Sequence, residues 1–177
     1  MLPLSTSLFV LLCLPVSAQE KTIDPALLKK ALAGDAKAQL SVGEAFLSGI
    51  SVARDYTKAS SWLQNAADQG VAQAQFDLGA LYEAGNGVQQ DDAKAAALYR
   101  RSAEQGFGPA ELHLGLLYDH GDGAPQDYSE AAGWYRKAAL QHLPQAEYNL
   151  GTLYKRGIGV PQDYSQAGAY GWAGHTP

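Results

Sequence analysis

Residues 71–106 read VAQAQFDLGALYEAGNGVQQDDAKAAALYRRSAEQG, and the reading of this stretch decides the fold. Ala74, Leu78, Leu81 and Tyr82 stand at offsets 0, 4, 7 and 8, one stripe of a helix. Gly85-Asn86-Gly87 stops that helix, because glycine takes the left-handed cap without steric cost. Asp91 then stands as an N-cap before a second stripe, Ala95, Leu98, Tyr99 and Ala103, which Gly106 closes. The stretch therefore predicts helix A, a glycine-rich loop, helix B and a short turn.

The same phrase is written four times, 36 residues apart. Gly43, Gly79, Gly115 and Gly151 form one series, and Gly49, Gly85, Gly121 and Gly157 a second. Phe46, Tyr82, Tyr118 and Tyr154 form an aromatic series, and Asp55, Asp91, Asp127 and Asp163 an acidic one. A fixed period of this size marks a solenoid of stacked hairpins, in which each unit needs its neighbours to bury its stripe. The fold expected is all-α, a right-handed superhelix of four hairpin repeats over residues 30–174. A linker and capping helix at 19–29 precede them and a tail at 175–177 follows.

Asp127 with Glu130, and Asp163 with Gln166, have capping-box spacing. Gly79, Gly115 and Gly151 fall in mid-helix, where each costs about 0.8–1.0 kcal/mol against alanine. Close approach of helices A and B is the expected compensation. The last helix B is weak: it holds Gly168 and Gly171, and Tyr170 and Trp172 are expected to risk exposure.

The N-terminus differs in kind. Leu8–Leu14 is a compact apolar run, and Val16-Ser17-Ala18 has the small-x-small pattern of a cleavage site. Residues 1–18 read as a signal peptide cut after Ala18, which places the mature chain in the periplasm or outside the cell. The run is short against the roughly 20 residues of a spanning helix, so no stable membrane span is expected after cleavage; a retained anchor is the rival reading. Cys13, the single cysteine, lies in this segment.

Composition and motifs exclude more than they assign. The chain has 177 residues and a net charge of -5, with no basic stripe, which argues against a nucleic-acid partner. The glycine pairs Gly85/Gly87, Gly121/Gly123 and Gly157/Gly159 follow helices, whereas a dinucleotide loop follows a strand. His113 and His120 are two helical turns apart, a long reach for one metal ion. No G-x-S-x-G occurs, and Thr152-Leu153-Tyr154-Lys155 copies only the spacing of S-x-x-K. No catalytic residue, cofactor site or metal site is assigned.

The motif A-x3-L-G-x-L-Y-x2-G-x-G-V-x2-D, seen in Ala146, Leu150, Gly151, Leu153, Tyr154, Gly157, Gly159, Val160 and Asp163, resembles the Sel-one-like repeat, a relative of the tetratricopeptide repeat. Trp134-Tyr135-Arg136-Lys137-Ala138-Ala139 extends the match, which covers about residues 30–171. Ser51 stands where the second loop glycine would be, and His142 replaces a turn glycine. The resemblance implies a concave inner face and adaptor or scaffold work; bacterial members are often exported. A cysteine-rich branch of the family is linked to β-lactam binding or hydrolysis, the alternative function, but this chain lacks those cysteines. By analogy the inner face is built from helix A. It would carry an apolar ladder of Leu40, Phe76, Leu112 and Tyr148, flanked by Glu44, Glu83 and Asp119 and then by Lys155 and Arg156. Phe76, Glu83, Leu112, Asp119, Tyr148 and Lys155 are the candidate partner-binding residues, for a protein or peptide.

Overall fold

In a computed structural model, residues 22–171 are described, and among them there are nine helices and no strand. In chain order they are α1 (Pro25–Leu32), α2 (Ala36–Ser48), α3 (Tyr56–Asp68), α4 (Ala72–Ala84), α5 (Asp92–Ala103), α6 (Gly108–His120), α7 (Tyr128–Leu140), α8 (Pro144–Arg156) and α9 (Tyr164–Ala169). Each packs chiefly on its neighbours in sequence, and the whole is a solenoid of helix hairpins. The expected signal peptide, its cleavage point and the tail lie outside the described residues.

Both stripes read from 71–106 are inside. Ala74, Leu78 and Leu81 of α4 and Ala95, Leu98, Tyr99 and Ala103 of α5 are buried, with Tyr82 half-buried. The buried columns repeat down the stack: Ala38, Ala74, Ala110 and Ala146 line one, Val42, Leu78, Leu114 and Leu150 the next. Ala31 of α1 packs with Ala38 and Val42 of α2, so α1 lies against the first hairpin. It runs to Leu32, past the boundary expected at residue 29.

The loop between helices A and B is pinned at both ends. Gly85 caps α4 at φ 67°, and the Asp91 carboxylate accepts from the Lys94 N–H at 2.9 Å. Asp55, Asp127 and Asp163 cap α3, α7 and α9 in the same way. The capping-box expectation needs a correction, however. The Asp127 N–H, which the Glu130 side chain would take in a capping box, donates instead to the Tyr118 carbonyl at 2.9 Å. Asp55, Asp91 and Asp163 donate likewise to Phe46, Tyr82 and Tyr154. A backbone bond across the hairpin thus replaces the local one, and it fixes the loop length in every copy.

The mid-helix glycines mark close approach, as expected. A Cβ on Gly79 would lie 2.9 Å from Tyr99, and one on Gly115 2.6 Å from Tyr135, both rings of the partner helix B. The second loop glycine faces the previous repeat: a Cβ on Gly87 would lie 2.3 Å from the Tyr56 backbone at the start of α3. Ser51 occupies that position in the first copy, where the corresponding helix, α1, starts only at Pro25.

A side-chain ladder ties successive hairpins. Gln39 donates to the Ala31 carbonyl and Gln75 to the Ala67 carbonyl, each at 3.1 Å. Gln69 and Gln105, from the ends of α3 and α5, donate in turn to Gln39 and Gln75 at 2.7 and 2.8 Å. In the third copy Glu111 takes the glutamine position, 4% exposed, and accepts from Gln141 at 2.9 Å. Burial raises its pKa despite the opposing Lys137 charge and Gln141 bond.

The last hairpin is short on its second side, α9 having 6 residues against 12 or 13 in α3, α5 and α7. Tyr170, expected to risk exposure, is half-buried, its ring stacked on Tyr154 with centroids 6.2 Å apart. Trp172 lies outside the described residues.

Candidate inner-face binding surface

Helices α2, α4, α6 and α8 are the A helices expected to supply the inner face, and the candidate residues occupy equivalent positions on them. Their surroundings differ sharply. Phe76 is half-buried in an aromatic cluster, 5.4 Å from Tyr99, 5.5 Å from Phe107 and 5.1 Å from His113, centroid to centroid. Leu40 packs against the buried cluster that holds Leu63 and Leu78, and Leu112 against the one that holds Leu114 and Tyr135. Tyr148, in the last copy, is 55% exposed. The ladder is thus packing for three rungs and open surface at the fourth.

The charged column is tied to helix B. The Tyr99 hydroxyl donates to Glu83 at 2.6 Å, and the Tyr135 hydroxyl to Asp119 at 3.0 Å. Burial and the adjacent carboxylates raise the pKa of both phenols, keeping them neutral donors. Lys155 takes this position in the fourth copy, where the residue sixteen further on is Gly171 rather than tyrosine. Its backbone carbonyl accepts from Gln162 at 2.9 Å. Thr152 donates its hydroxyl to the Tyr148 carbonyl at 3.0 Å.

Sequence reading weighed His113 only as a metal ligand and passed over the rest of its column, one residue beyond the ladder: Ser41, Asp77 and Asn149. Asp77 is half-buried and its pKa is pushed up to about 6, first by burial and then by the charge of Glu44. Glu44 accepts from the Gln73 amide, and burial raises its pKa as well. His113 is half-buried against Phe76 and Tyr99, which lowers its pKa, with Glu83 opposing. A register comparison would have found this column, since its side chains follow no common type. Between α2 and α4 the face opens into a shallow recess of about 520 Å³, lined by Ser41, Glu44, Leu47, Ile50, Gln73 and Asp77 among others.

Among the described residues, no group of three or more His, Cys, Asp or Glu is placed to hold a metal ion. Likewise, no helix is long and apolar enough to cross a membrane.

The model of the Sel1 repeat matches residues 36–71, 72–107, 108–143 and 144–172. Among solved structures, a protective antigen of uropathogenic Escherichia coli strains displaying an SLR fold is similar at 35% identity and TM-score 0.79. The match covers 81% of this chain and 31% of that one. A Sel1 repeat protein from Oxalobacter formigenes is similar at 35% identity and TM-score 0.77, covering 82% of this chain and 60% of the other. Cysteine rich protein B of Helicobacter pylori follows at 25% identity and TM-score 0.56, covering 71% and 95% respectively. The chain thus spans about a third and three-fifths of the length of the first two. A sequence comparison with curated proteins finds no match.

Proposed function

Because this chain belongs to the Sel1 repeat family, whose repeats commonly serve as protein–protein interaction scaffolds, we propose that it is an exported, non-enzymatic adaptor that holds a protein or peptide along its inner face. One observation carries the reading. The two apolar columns at the heart of helix A, Ala38 to Ala146 and Val42 to Leu150, hold their type from copy to copy, whereas the columns beside the ladder do not. Glu44, Ala80, Leu116 and Thr152 share one position, and Ser41, Asp77, His113 and Asn149 another. A position free to change polarity and charge is not dictated by the repeat's packing, and such a surface is where a solenoid differs from its neighbours in what it holds. Export rests on the apolar run and the Ala18 site at the N-terminus.

A photo-crosslinking residue at Ala80, on the inner face, tests the reading against the same residue at Arg136 on α7. Envelope extract should give discrete adducts from position 80 and none from position 136. Equal labelling, or none from either, would remove the inner face from the proposal. Export is tested separately by N-terminal sequencing, where a chain starting at Gln19 is expected and retention of Met1 is the contrary result.

A further inference from the structure

We propose that the recess between α2 and α4 seats a lysine or arginine side chain of the partner; the inference rests on the inner-face reading and deepens it. The recess joins two chemistries. Leu47 is half-buried on its wall and Ile50 is 74% exposed at its rim, an apolar lining for a methylene stem. Glu44 from the first repeat and Asp77 from the second bring carboxylates to the same space, close enough for the charge of one to act on the other. Among the described residues, no ion pair of the chain involves either acid.

Six other acids serve the fold. Asp55, Asp91, Asp127 and Asp163 cap helices, and Glu83 and Asp119 hold tyrosine hydroxyls. The stack itself supplies the control for Glu44 and Asp77. One seam further along, the equivalent pair is Ala80 and His113, and at the next it is Leu116 and Asn149. Two facing acids are therefore no requirement of the hairpin seam. They raise its energy by mutual repulsion and burial, and a cation between them would remove that cost. An ammonium or guanidinium group also donates hydrogen bonds to both carboxylates, and Gln73 already fixes the orientation of one. The breadth of the opening suits a side chain entering from a bound peptide.

The probe is a fluorescein-labelled Gly-Leu-Lys-Leu-Gly peptide, compared with the same peptide carrying norleucine, which keeps the stem and drops the charge. With the full chain, the lysine probe should bind at least about tenfold more tightly. Amide NMR shifts should centre on Leu47, Ile50 and Gln73. The double variant Glu44→Gln, Asp77→Asn, its helical content checked by circular dichroism, should bind the lysine probe no better than the norleucine one. Equal affinity for the two probes, an undiminished double variant, or no binding at millimolar concentration overturns the inference. Shifts confined to α8 around Tyr148 would overturn it while leaving the inner-face reading standing; an inner face silent to both peptide and crosslinker would end that reading too.

Discussion

The two middle hairpins and the two outer ones share one backbone plan but close it differently where helix A meets helix B. In the middle, Gly79 and Gly115 let the Tyr99 and Tyr135 rings approach the opposite helix closely, and Glu83 and Asp119 accept hydrogen bonds from their hydroxyls. The first hairpin places Leu63 against Gly43, with Leu47 at the acid's position. The fourth has Lys155 and Gly171 at the two positions. Acid and tyrosine therefore occur together, and neither occurs where the other is missing. What the inner face shows as negative charge at its centre is also the far end of a buried hydrogen bond, so charge on this face cannot be equated with binding residue by residue.

This contrast can be broken most forcefully at the glycine. Gly115→Ala should cost about 2 kcal/mol, because the added Cβ would lie 2.6 Å from ring carbons of Tyr135, a fully buried side chain. Gly133→Ala on α7 meets nothing within 4 Å and should instead gain about 0.8 kcal/mol of helix propensity. Urea denaturation of both variants decides it; equal shifts would refute the close-packing account. Tyr135→Phe comes next. It removes the bond to Asp119 while keeping the ring, with an expected loss of about 1.5 kcal/mol in the same assay. A loss near zero would mean that water replaces the hydroxyl without cost, and that Asp119 is free for a partner after all.

The smallest effect sharpens a second contrast, between the glutamine seams and the glutamate seam. Gln75 both accepts from Gln105 and donates to the Ala67 carbonyl. An ionised Glu111 can only accept. Glu111→Gln should therefore stabilise the chain by about 1 kcal/mol at neutral pH. Because the folded pKa of Glu111 is raised, its favourable contribution is complete below the unfolded pKa and is lost as pH rises through the folded one. The gap between variant and parent should accordingly close on acidification, and parallel curves of urea midpoint against pH would count against this account.

Much of the architecture was legible because the period is in the sequence itself. Helix A, the glycine stop, the aspartate cap and helix B are local matters of stripe, cap and turn, and Ala74, Leu78, Leu81, Asp91 and Ala95 fell where their spacing put them. Stacking follows from the same repetition, since four copies of an apolar stripe must cover one another. Side-chain traffic between hairpins was not legible. Local spacing offered Glu130 as a partner for the Asp127 N–H, but the Tyr118 carbonyl, nine residues back, takes it. Phe76 looked like one rung of an open ladder, and the aromatic rings of α5, the α5–α6 turn and α6 enclose it. Asp77 drew no notice as a single acid; its place beside Glu44, thirty-three residues earlier, gives it meaning. Periodicity fixes which side of a helix faces inward, because that depends on neighbours along the chain. Which charge meets which hydroxyl, or which other charge, depends on distances across the stack, and those exist only once the hairpins are in place.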